Sequence, residues 1–403
     1  MFTVGALRYS LSSLATKLLP DPGKPVKSTN FIVSHSRGCS LIYTCYQTYS
    51  RTVGMRICCI GVGRWGRNII RVLARLRDQG DIEDLAICDI DISRAKELAK
   101  RYLVNEVYGS IDEIRHSKYD AYVVAVPTKY HYVVVKKLLP HSHVFVEKPI
   151  ATTIEEAREL VLEAKKLGRV LMVGHIVRFE PVVSHLLNIL SRLRSEGEEV
   201  VNIYSVRIGP GPFNPVYTLN LGVAHDLLVH DIDICNYVLN ELPREVVAKT
   251  RYVSNFPYEV DIIANYTYPS GTVAQLRASW LCSQTMKRRL MEIQTMNYVI
   301  TVDYMLQRVV KEKGIASYTS NSDYTSLVLT YQSKEISEER LLLGSHNEPL
   351  LVELKHFIEC VKSGKEPLTS GVVGYIALKC IVYALKSAEK GMRVEIPWNE
   401  DFI

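Results

Sequence analysis

The sequence lacks the features that mark several protein classes. No uninterrupted apolar stretch approaches the ~18 residues that a membrane-spanning helix requires. The nine cysteines among 403 residues show neither the repeated C-x-x-C spacing of a zinc ribbon nor a disulfide framework, so we interpret them as reduced thiols. There is no internal repeat and no low-complexity tract. A chain of this length that is 47% hydrophobic and 23% charged predicts a cytoplasmic protein with two packed domains and no membrane partner.

Acidic residues are scarce at the start of the chain. Residues 1–54 contain six lysines and arginines but only Asp21 among the acids, so most of the formal net charge of +6 belongs to this poorly structured extension. The rest of the chain is close to neutral, which argues against a nucleic-acid partner. Three interpretations of the extension compete: a transit peptide, a disordered tail, or a segment upstream of a true start at Met55. We favour the third, because Met55 stands directly before the first predicted strand.

From Met55 onwards, short apolar strands alternate with amphipathic helices. The predicted strands share a buried, apolar character and end near Ile60, Cys88, Val126, Val146 and Val173. This alternation predicts an α/β domain over residues 55–177, built on a doubly wound parallel sheet. Because right-handed crossovers place the carboxyl ends of all parallel strands at one edge, we expect ligands to bind at that edge.

After residue 177 the pattern changes to a run of strands framed by a few helices. Helices are predicted near Val223–Leu239, Leu350–Lys362 and Val372–Lys390. Between them lie extended segments separated by hairpin-like turns: Arg244–Val253, Val260–Tyr268, Thr272–Trp280, Arg288–Thr295, Val299–Tyr304 and Ser326–Gln332. This pattern predicts an α+β domain over residues 178–403 with a large, mostly antiparallel open sheet.

The first strand runs into a glycine-rich turn, Gly61-Val62-Gly63-Arg64-Trp65-Gly66, which a predicted helix follows. Gly61 permits a tight turn, and Gly63 lets the backbone approach a diphosphate. Gly66 lets the helix pack close to the strand with its amides facing the phosphates. The alternative is a tight strand-to-helix turn without a ligand.

Asp89 favours the dinucleotide interpretation of that turn. It stands 23 residues after Gly66, at the tip of the second strand. A carboxylate there accepts hydrogen bonds from an adenosine ribose and repels a 2′-phosphate, so we predict NAD rather than NADP. Asp89 is otherwise a turn or capping acid. Asp91 or Ser93 can cap the next helix and leave Asp89 free for the ribose.

Lys148 follows a buried strand at the same predicted edge, between Glu147 and Pro149. An ammonium there can lower the pKa of a substrate hydroxyl or stabilise an alkoxide. The alternative is a structural ion pair between Lys148 and Glu147. The residues alone leave both interpretations open.

The densest group of ionisable residues is His225-Asp226-Leu227-Leu228-Val229-His230-Asp231-Ile232-Asp233. On an α-helix Asp226 and His230 share a face, and a neutral histidine can remove a hydroxyl proton near pH 7. His225 and His230 lie roughly 140° apart on a helix of ~3.6 residues per turn, so we expect no metal site. Capping acids with a core histidine remain the alternative.

Five motifs, taken in order, resemble the glucose–fructose oxidoreductase/inositol dehydrogenase/rhizopine (Gfo/Idh/MocA) family: GVGRWG, VPTKYH, EKPIA, VGHIVRF and DLLVHDID. They cover Met55 to about Leu239, and the later sheet matches in pattern only. GRWGRN, VGHIVRFEPVV and HDLLVHDIDI are most similar to the branch of UDP-N-acetylglucosamine 3-dehydrogenases. The resemblance implies a Rossmann domain followed by a substrate-binding domain whose open sheet pairs subunits into a homodimer or homotetramer.

The resemblance also implies roles for single residues. Lys148 and His230 match the catalytic pair of the family, and Asp226 matches a substrate-binding or proton-relay carboxylate. Arg178 matches an arginine that faces the substrate, and the Lys148–Pro149 peptide bond is often cis. The implied cofactor contacts are Gly61, Gly63, Arg64, Trp65, Gly66, Asp89, Pro127, Thr128, His131, Glu147 and Lys148. The implied substrate contacts are Lys148, Arg178, Asp226 and His230.

These observations predict an NAD-dependent oxidoreductase that oxidises a secondary hydroxyl of a sugar, at C3 of a nucleotide sugar such as UDP-N-acetylglucosamine. One alternative is a myo-inositol or free-sugar dehydrogenase. An alternative of another class is a redox-inactive, NAD-binding regulatory protein. The presence of both Lys148 and His230 argues against that last alternative.

Overall fold

The computed structural model describes residues 31–33, 41–43, 54–211, 221–314, 323–326, 328 and 334–398. The two N-terminal segments pair as antiparallel strands β1 (Phe31–Val33) and β2 (Leu41–Tyr43). They belong to a unit that spans Met1–Val53, and Gly54–Ile403 form a second unit. The prediction of a poorly structured extension otherwise falls outside the described residues, as do its three interpretations.

The second unit begins with a six-stranded parallel sheet. Its strands are β3 (Arg56–Ile60), β4 (Asp84–Cys88), β5 (Glu106–Tyr108), β6 (Ala121–Val124), β7 (His143–Glu147) and β8 (Leu171–Gly174). Their spatial order is β5-β4-β3-β6-β7-β8, so the order reverses beside β3, where doubly wound sheets bind nucleotides. The intervening helices are α1 (Gly66–Asp78), α2 (Ile92–Tyr102), α3 (His131–Leu138) and α4 (Ile154–Lys166). The predicted parallel fold is confirmed.

Local sequence explains the boundaries of these elements. All four residues of β6 are buried, as expected for a parallel strand that helices cover on both faces. Asp91 caps α2, as predicted, by accepting the backbone N–H of Arg94 at 3.0 Å. A capping box starts α4, in which Thr153 and Glu156 bind each other's backbone N–H groups.

The rest of the second unit carries a nine-stranded sheet. Helix α5 (Pro181–Ser195) precedes β9 (Asn202–Ile208), and a π-helical turn (Ala224–Leu228) leads into α6 (Val229–Leu239). The other strands are β10 (Glu245–Arg251), β11 (Asp261–Thr267), β12 (Val273–Ser279), β13 (Arg288–Gln294), β14 (Tyr298–Asp303), β15 (Arg308–Gly314), β16 (Lys334–Arg340) and β17 (Val394–Glu395). Their order is β16-β15-β14-β13-β9-β12-β11-β10-β17. Only the β9–β12 pair of this sheet is parallel within the described strands, which confirms a mostly antiparallel sheet.

The prediction of a strand at Ser326–Gln332 is wrong for the residues of that segment that the structure describes. Residues 324–326 and 328 are helical, because the carboxylate of Asp323 accepts the N–H of Ser326 at 2.8 Å as a helix cap. The other residues of that predicted strand lie outside the described ranges. Strand β16 escaped sequence analysis because it is exposed along its whole length, so no apolar alternation marks it.

The last two helices, α7 (Pro349–Ser363) and α8 (Gly371–Lys390), return to the parallel sheet. Phe357 of α7 packs with Phe145 of β7, their ring centroids 5.8 Å apart. Helix α8 places Leu378 in the core of the first sheet and Ile381 in the core of the second. By length and composition alone α8 is apolar enough to cross a membrane, but its burial between two sheets identifies a core helix. The domain boundary at residues 177/178 stays a prediction.

Candidate active site

The glycine turn joins β3 to α1 as predicted. Gly61 has a φ of +90°, and a Cβ there would lie 2.8 Å from the carbonyl of Ala125. A Cβ on Gly66 would lie 2.1 Å from the carbonyl oxygen of Gly61, so close packing requires both glycines. A Cβ on Gly63 would meet nothing within 4 Å, and the space beside it is open to a ligand. No side chain caps α1 among the described residues, so its first amides fit the diphosphate of a dinucleotide.

Asp89 ends β4 beside this turn and is buried. One carboxylate oxygen accepts the N–H of Val62 at 2.6 Å. The other accepts the N–H of Asp91 at 2.8 Å and the guanidinium of Arg94 at 2.9 Å. Asp89 therefore also fixes the glycine turn, and its contact with a ribose stays a prediction. A ribose bound at this carboxylate would also meet Arg94, which sequence analysis missed.

Pro127 and Thr128 follow β6 at the same carboxyl edge. His131 opens α3 but is only 1% exposed. Its Nδ1 lies 2.7 Å from the carbonyl oxygen of Pro149, and its Nε2 lies 2.9 Å from that of Val126. Since both ring nitrogens contact backbone, His131 braces the ends of β6 and β7. This position corrects the expectation that His131 lines the cofactor.

Trp65 connects the glycine turn to the end of β7. Its indole Nε1–H donates to the carboxylate of Glu147 at 2.6 Å. Burial raises the pKa of Glu147 to about 7, although the hydrogen bond from Trp65 and the charge of Lys148 act in the opposite direction. Arg64 is exposed on the same turn. The predicted cofactor residues of the turn and of β7 thus meet at one edge.

Lys148 contacts Asp226 and not Glu147, so the alternative of an ion pair between Lys148 and Glu147 is wrong. Its ammonium donates to the backbone oxygen of Asp226 at 2.7 Å and to its carboxylate at 3.0 Å. Trp280 donates its Nε1–H to the other carboxylate oxygen at 3.2 Å. Burial raises the pKa of Asp226, but Lys148 and these hydrogen bonds outweigh it and leave the pKa lowered. The Lys148–Pro149 peptide bond is cis, as the resemblance implied.

Asp226 sits in the π-helical turn. The N–H of Val229 donates to the carbonyl of Ala224, five residues back, which is the π-helical bond. Glu259 holds the start of this turn by accepting the N–H of Ala224 at 3.0 Å. The assumption of a uniform α-helix between His225 and His230 is therefore wrong. In the described residues no group of three or more His, Cys, Asp or Glu is arranged to hold a metal.

His230 lies at the start of α6, partly exposed. Burial lowers its pKa well below the usual value, and the positive charges of Lys148, Arg207 and Arg289 lower it further. The imidazole is therefore neutral at neutral pH and able to accept a proton. Its Nδ1 is enclosed and has no hydrogen-bond partner among the described residues.

Arg178 does not face a substrate space. Its guanidinium donates to the two carboxylate oxygens of Asp233 at 2.9 and 2.6 Å, and to the carbonyl of Leu368 at 3.1 Å. It is only 8% exposed. These bonds position α6 against the segment after β8, so the structure argues against the expected substrate contact.

Several residues of the site escaped sequence analysis. Arg207, at an inward position of β9, donates two hydrogen bonds to Asp231. A charged residue at an inward position of a strand does indicate a buried partner of opposite charge. Trp280 and Glu259 carry no such signal. Both reach the π-helical turn through contacts distant in sequence, which a linear pattern does not show.

Two family models match the chain in order. The first, described as "Oxidoreductase family, NAD-binding Rossmann fold", matches residues 55–175. The second, described as "Oxidoreductase family, C-terminal alpha/beta domain", matches residues 218–396. Both belong to GFO_IDH_MocA, and together they cover most of the chain.

Individual relatives agree with these matches. The chain is 27% identical over 351 residues to the myo-inositol 2-dehydrogenase of Thermotoga maritima, covering 85% of this chain and 98% of the relative. It is 29% identical over 256 residues to the UDP-N-acetylglucosamine 3-dehydrogenase of Acidithiobacillus ferrooxidans, covering 63% of this chain and 75% of the relative.

Solved structures share the fold. The structure of the A. ferrooxidans enzyme superposes with a TM-score of 0.69 at 23% identity, covering 83% of this chain and 98% of that one. A levoglucosan dehydrogenase in complex with NADH and L-sorbose superposes with a TM-score of 0.73 at 15% identity, covering 86% of this chain and all of the other.

Proposed function

Because this chain belongs to the Gfo/Idh/MocA oxidoreductase family, we propose that it oxidises the C3 hydroxyl of a nucleotide sugar such as UDP-N-acetylglucosamine. Family membership makes it an NAD-dependent dehydrogenase of sugars or polyols that acts on a CH–OH group. The choice of a nucleotide sugar as the substrate goes beyond family membership. It is supported by the A. ferrooxidans enzyme, which is both a relative and a structural neighbour.

The residues at the carboxyl edge of the parallel sheet fit NAD. The amides of the glycine turn and of α1 would hold the diphosphate, and Asp89 would hold the adenosine ribose. Glu147 and Thr128 would face the nicotinamide end of the cofactor. Bound NAD supplies the acceptor for the hydride that leaves the substrate carbon.

One observation carries the chemistry: the ammonium of Lys148 is bound to Asp226 close to a neutral His230. An ammonium has three donors, and Asp226 takes two. The third is available for the oxygen of the substrate hydroxyl, where it stabilises developing negative charge. His230 accepts the hydroxyl proton, and we assign this role to Nε2 because Nδ1 is enclosed.

The second candidate substrate is myo-inositol. It is favoured by the T. maritima relative, since the aligned region covers 98% of that protein. The two candidates differ chemically in charge, because a nucleotide sugar carries a diphosphate and inositol is neutral. A free hexose belongs with inositol in this comparison.

A substrate panel tests the proposal. Purified protein is incubated with NAD and each of several UDP-sugars, myo-inositol and free hexoses, and NADH is followed by absorbance. We expect the highest kcat/KM with UDP-N-acetylglucosamine. A higher value with inositol transfers the assignment to the second candidate. If the protein binds NAD but forms NADH from none of the substrates, the proposal fails in favour of a redox-inactive regulatory protein.

We also propose that subunits associate through the outer face of the nine-stranded sheet. Tyr204, Val247 and Ile263 expose apolar surface on three strands of this face, which a second subunit could cover. Static light scattering is expected to give the mass of a homodimer or homotetramer. Ile263→Asp should reduce that mass, whereas a monomeric wild type contradicts the proposal.

A further inference from the structure

Arg289 of β13 lies directly opposite Arg207 of β9. Directly opposed residues of an antiparallel pair project from the same face of a sheet. Arg207 lies on the face against which α6 packs, since it binds Asp231 of that helix. Arg289 therefore projects from that face as well, and its charge acts on both Asp226 and His230. It belongs to the catalytic cleft.

The two arginines differ in their partners. Arg207 is almost fully buried and donates hydrogen bonds to the carboxylate of Asp231 at 3.0 and 2.8 Å. Arg289 is half-buried, and among the described residues its guanidinium forms neither a hydrogen bond nor an ion pair. Burial and the charge of Arg207 lower the pKa of Arg289. A partly desolvated cation without a partner is costly, which indicates that a ligand completes it.

Lys287 lies near Arg289, and Arg64 lies near Lys287. The charge of Arg289 is the main cause that lowers the pKa of Lys287, followed by burial and the charges of Arg207 and Arg64. Lys287 stands just before β13, and Arg64 belongs to the glycine turn. Both are exposed, and neither is ion-paired within the described ranges. Positive charge thus converges on the cleft from both sheets.

The carboxylates near these cations are already used. Asp226 accepts hydrogen bonds from Lys148, and Asp231 accepts them from Arg207. Glu180 is also close enough to act on Arg289, but its carboxylate already accepts a hydrogen bond from the side-chain amide of Gln307 at 2.8 Å. The cleft therefore retains surplus positive charge beside the catalytic pair.

We propose that Arg289 and Lys287 form a subsite for the phosphate groups of the substrate. The inference rests on the proposed oxidation of a sugar hydroxyl at His230. The planar guanidinium of an arginine matches the geometry of phosphate oxygens, and Arg289 projects its guanidinium from the nine-stranded sheet. The competing source of phosphate is the cofactor diphosphate, which the glycine turn binds.

Binding of UDP to the NAD-saturated protein, measured by calorimetry, tests the subsite without turnover. Arg289→Met should weaken UDP binding about 10–100-fold, since charged hydrogen bonds are lost. Lys287→Met, at an exposed position, should weaken it about 2–5-fold. The matched control is Arg288→Met, because Arg288 is exposed and projects from the opposite face. UDP that fails to bind the wild type, or binds all variants equally, overturns the inference.

The affinity of the variants for NAD shows whether Arg289 and Lys287 bind the phosphates of the substrate or those of the cofactor. It should be unchanged in Arg289→Met and Lys287→Met, and a parallel loss reassigns these cations to the cofactor and overturns the inference. If Arg289→Met does not fold, the Lys287→Met variant decides. With a UDP-sugar as substrate, the loss should appear as a higher KM. If no UDP-sugar is oxidised but UDP binding shows the expected losses, the proposed substrate fails and the subsite stands.

Discussion

Three aspartates on one helical segment each bind a cation, but in two different settings. Arg207–Asp231 and Arg178–Asp233, the deep pairs, are almost fully buried. Lys148–Asp226, the cleft pair, is partly exposed, with side-chain exposures of 16% and 31%. The deep pairs link α6 to the second sheet and to the segment after β8, whereas the cleft pair links the preceding π-helical turn to the end of the parallel sheet.

The settings differ in whether the cation can reach a ligand. Arg178 uses both edges of its guanidinium on Asp233 and on a backbone carbonyl. Lys148 uses two of its three donors on Asp226. An ion pair that is buried on both sides positions a helix, whereas an ion pair at the cleft with a spare donor can bind a reacting oxygen. The comparison therefore assigns structure to the deep pairs and chemistry to the cleft pair.

Removing the cleft residues should have the largest effect. We expect Lys148→Ala and His230→Ala each to lower kcat about 10²–10⁴-fold, because stabilisation of the oxygen or acceptance of its proton is lost. The far-ultraviolet circular dichroism spectrum should not change. Lys136→Ala is the control, since Lys136 forms an exposed pair with Glu159. Activity that survives both cleft substitutions contradicts the site.

Breaking a deep pair should act on stability first. Arg178→Met leaves Asp233 as a buried, unpaired carboxylate, so the free energy of unfolding should fall by about 3–5 kcal/mol in urea titrations. Arg340→Met breaks an exposed pair with Glu338 and should cost no more than about 1 kcal/mol. If Arg178→Met instead raises the substrate KM at unchanged stability, Arg178 contacts the substrate and the comparison fails.

The sequence predicted the parallel sheet and the cleft residues better than the deep pairs. Buried strands and the glycine turn leave strong local patterns, and Lys148 is confirmed at the edge where its strand ends. The partner of Arg178 lies 55 residues away, and only the fold brings the two together. The motif that singled out Arg178 matches a position of the family, and such a match does not say whether the role of the residue is structural or chemical.

The remaining differences have similar causes. The π-helical turn depends on Glu259, which acts from another part of the chain. His131 was expected to meet the cofactor, and its ring nitrogens contact backbone carbonyls beside the cofactor site. A residue type indicates which bonds it can form, but the fold decides whether protein or ligand supplies the partner.

Glu353 of α7 differs from the aspartates of both settings, because it is a buried carboxylate without a cation among the described residues. It is 0% exposed, and neither of its oxygens has a hydrogen-bond partner among the described residues. Burial, aided by the charge of Glu147, raises its pKa well above the usual value. The folded protein therefore binds this proton more tightly than the unfolded chain does. Stability should fall as pH rises above the unfolded pKa of ~4.3, by at most about 1.4 kcal/mol per pH unit.

Glu353→Gln should remove that slope. The variant should match the wild type near pH 4 and exceed it in free energy of unfolding at pH 8, by about 1–3 kcal/mol. Glu359→Gln is the matched control, since Glu359 is exposed on the same helix, and it should leave the slope unchanged. An equal pH dependence for Glu353→Gln and the wild type would show that Glu353 is ionised and paired.

The smallest expected effect concerns the pH dependence of the cleft. Burial and the surrounding cations lower the pKa of His230 well below 6.5, so the base stays neutral and active on the acidic side of neutrality. The acidic limb of kcat/KM, which reports the free enzyme, should therefore lie below pH 6.5.

Arg289→Met removes one of the positive charges near His230 and should move the limb to higher pH by less than about 1 unit, whereas Arg288→Met should not move it. Loss of phosphate binding lowers kcat/KM at every pH, whereas a change in the pKa of His230 moves the limb along the pH axis. One pH profile of Arg289→Met therefore measures both roles of Arg289. A wild-type limb above pH 7 would mean that His230 is paired with a carboxylate, as in the deep pairs, and the distinction between the two settings would be lost.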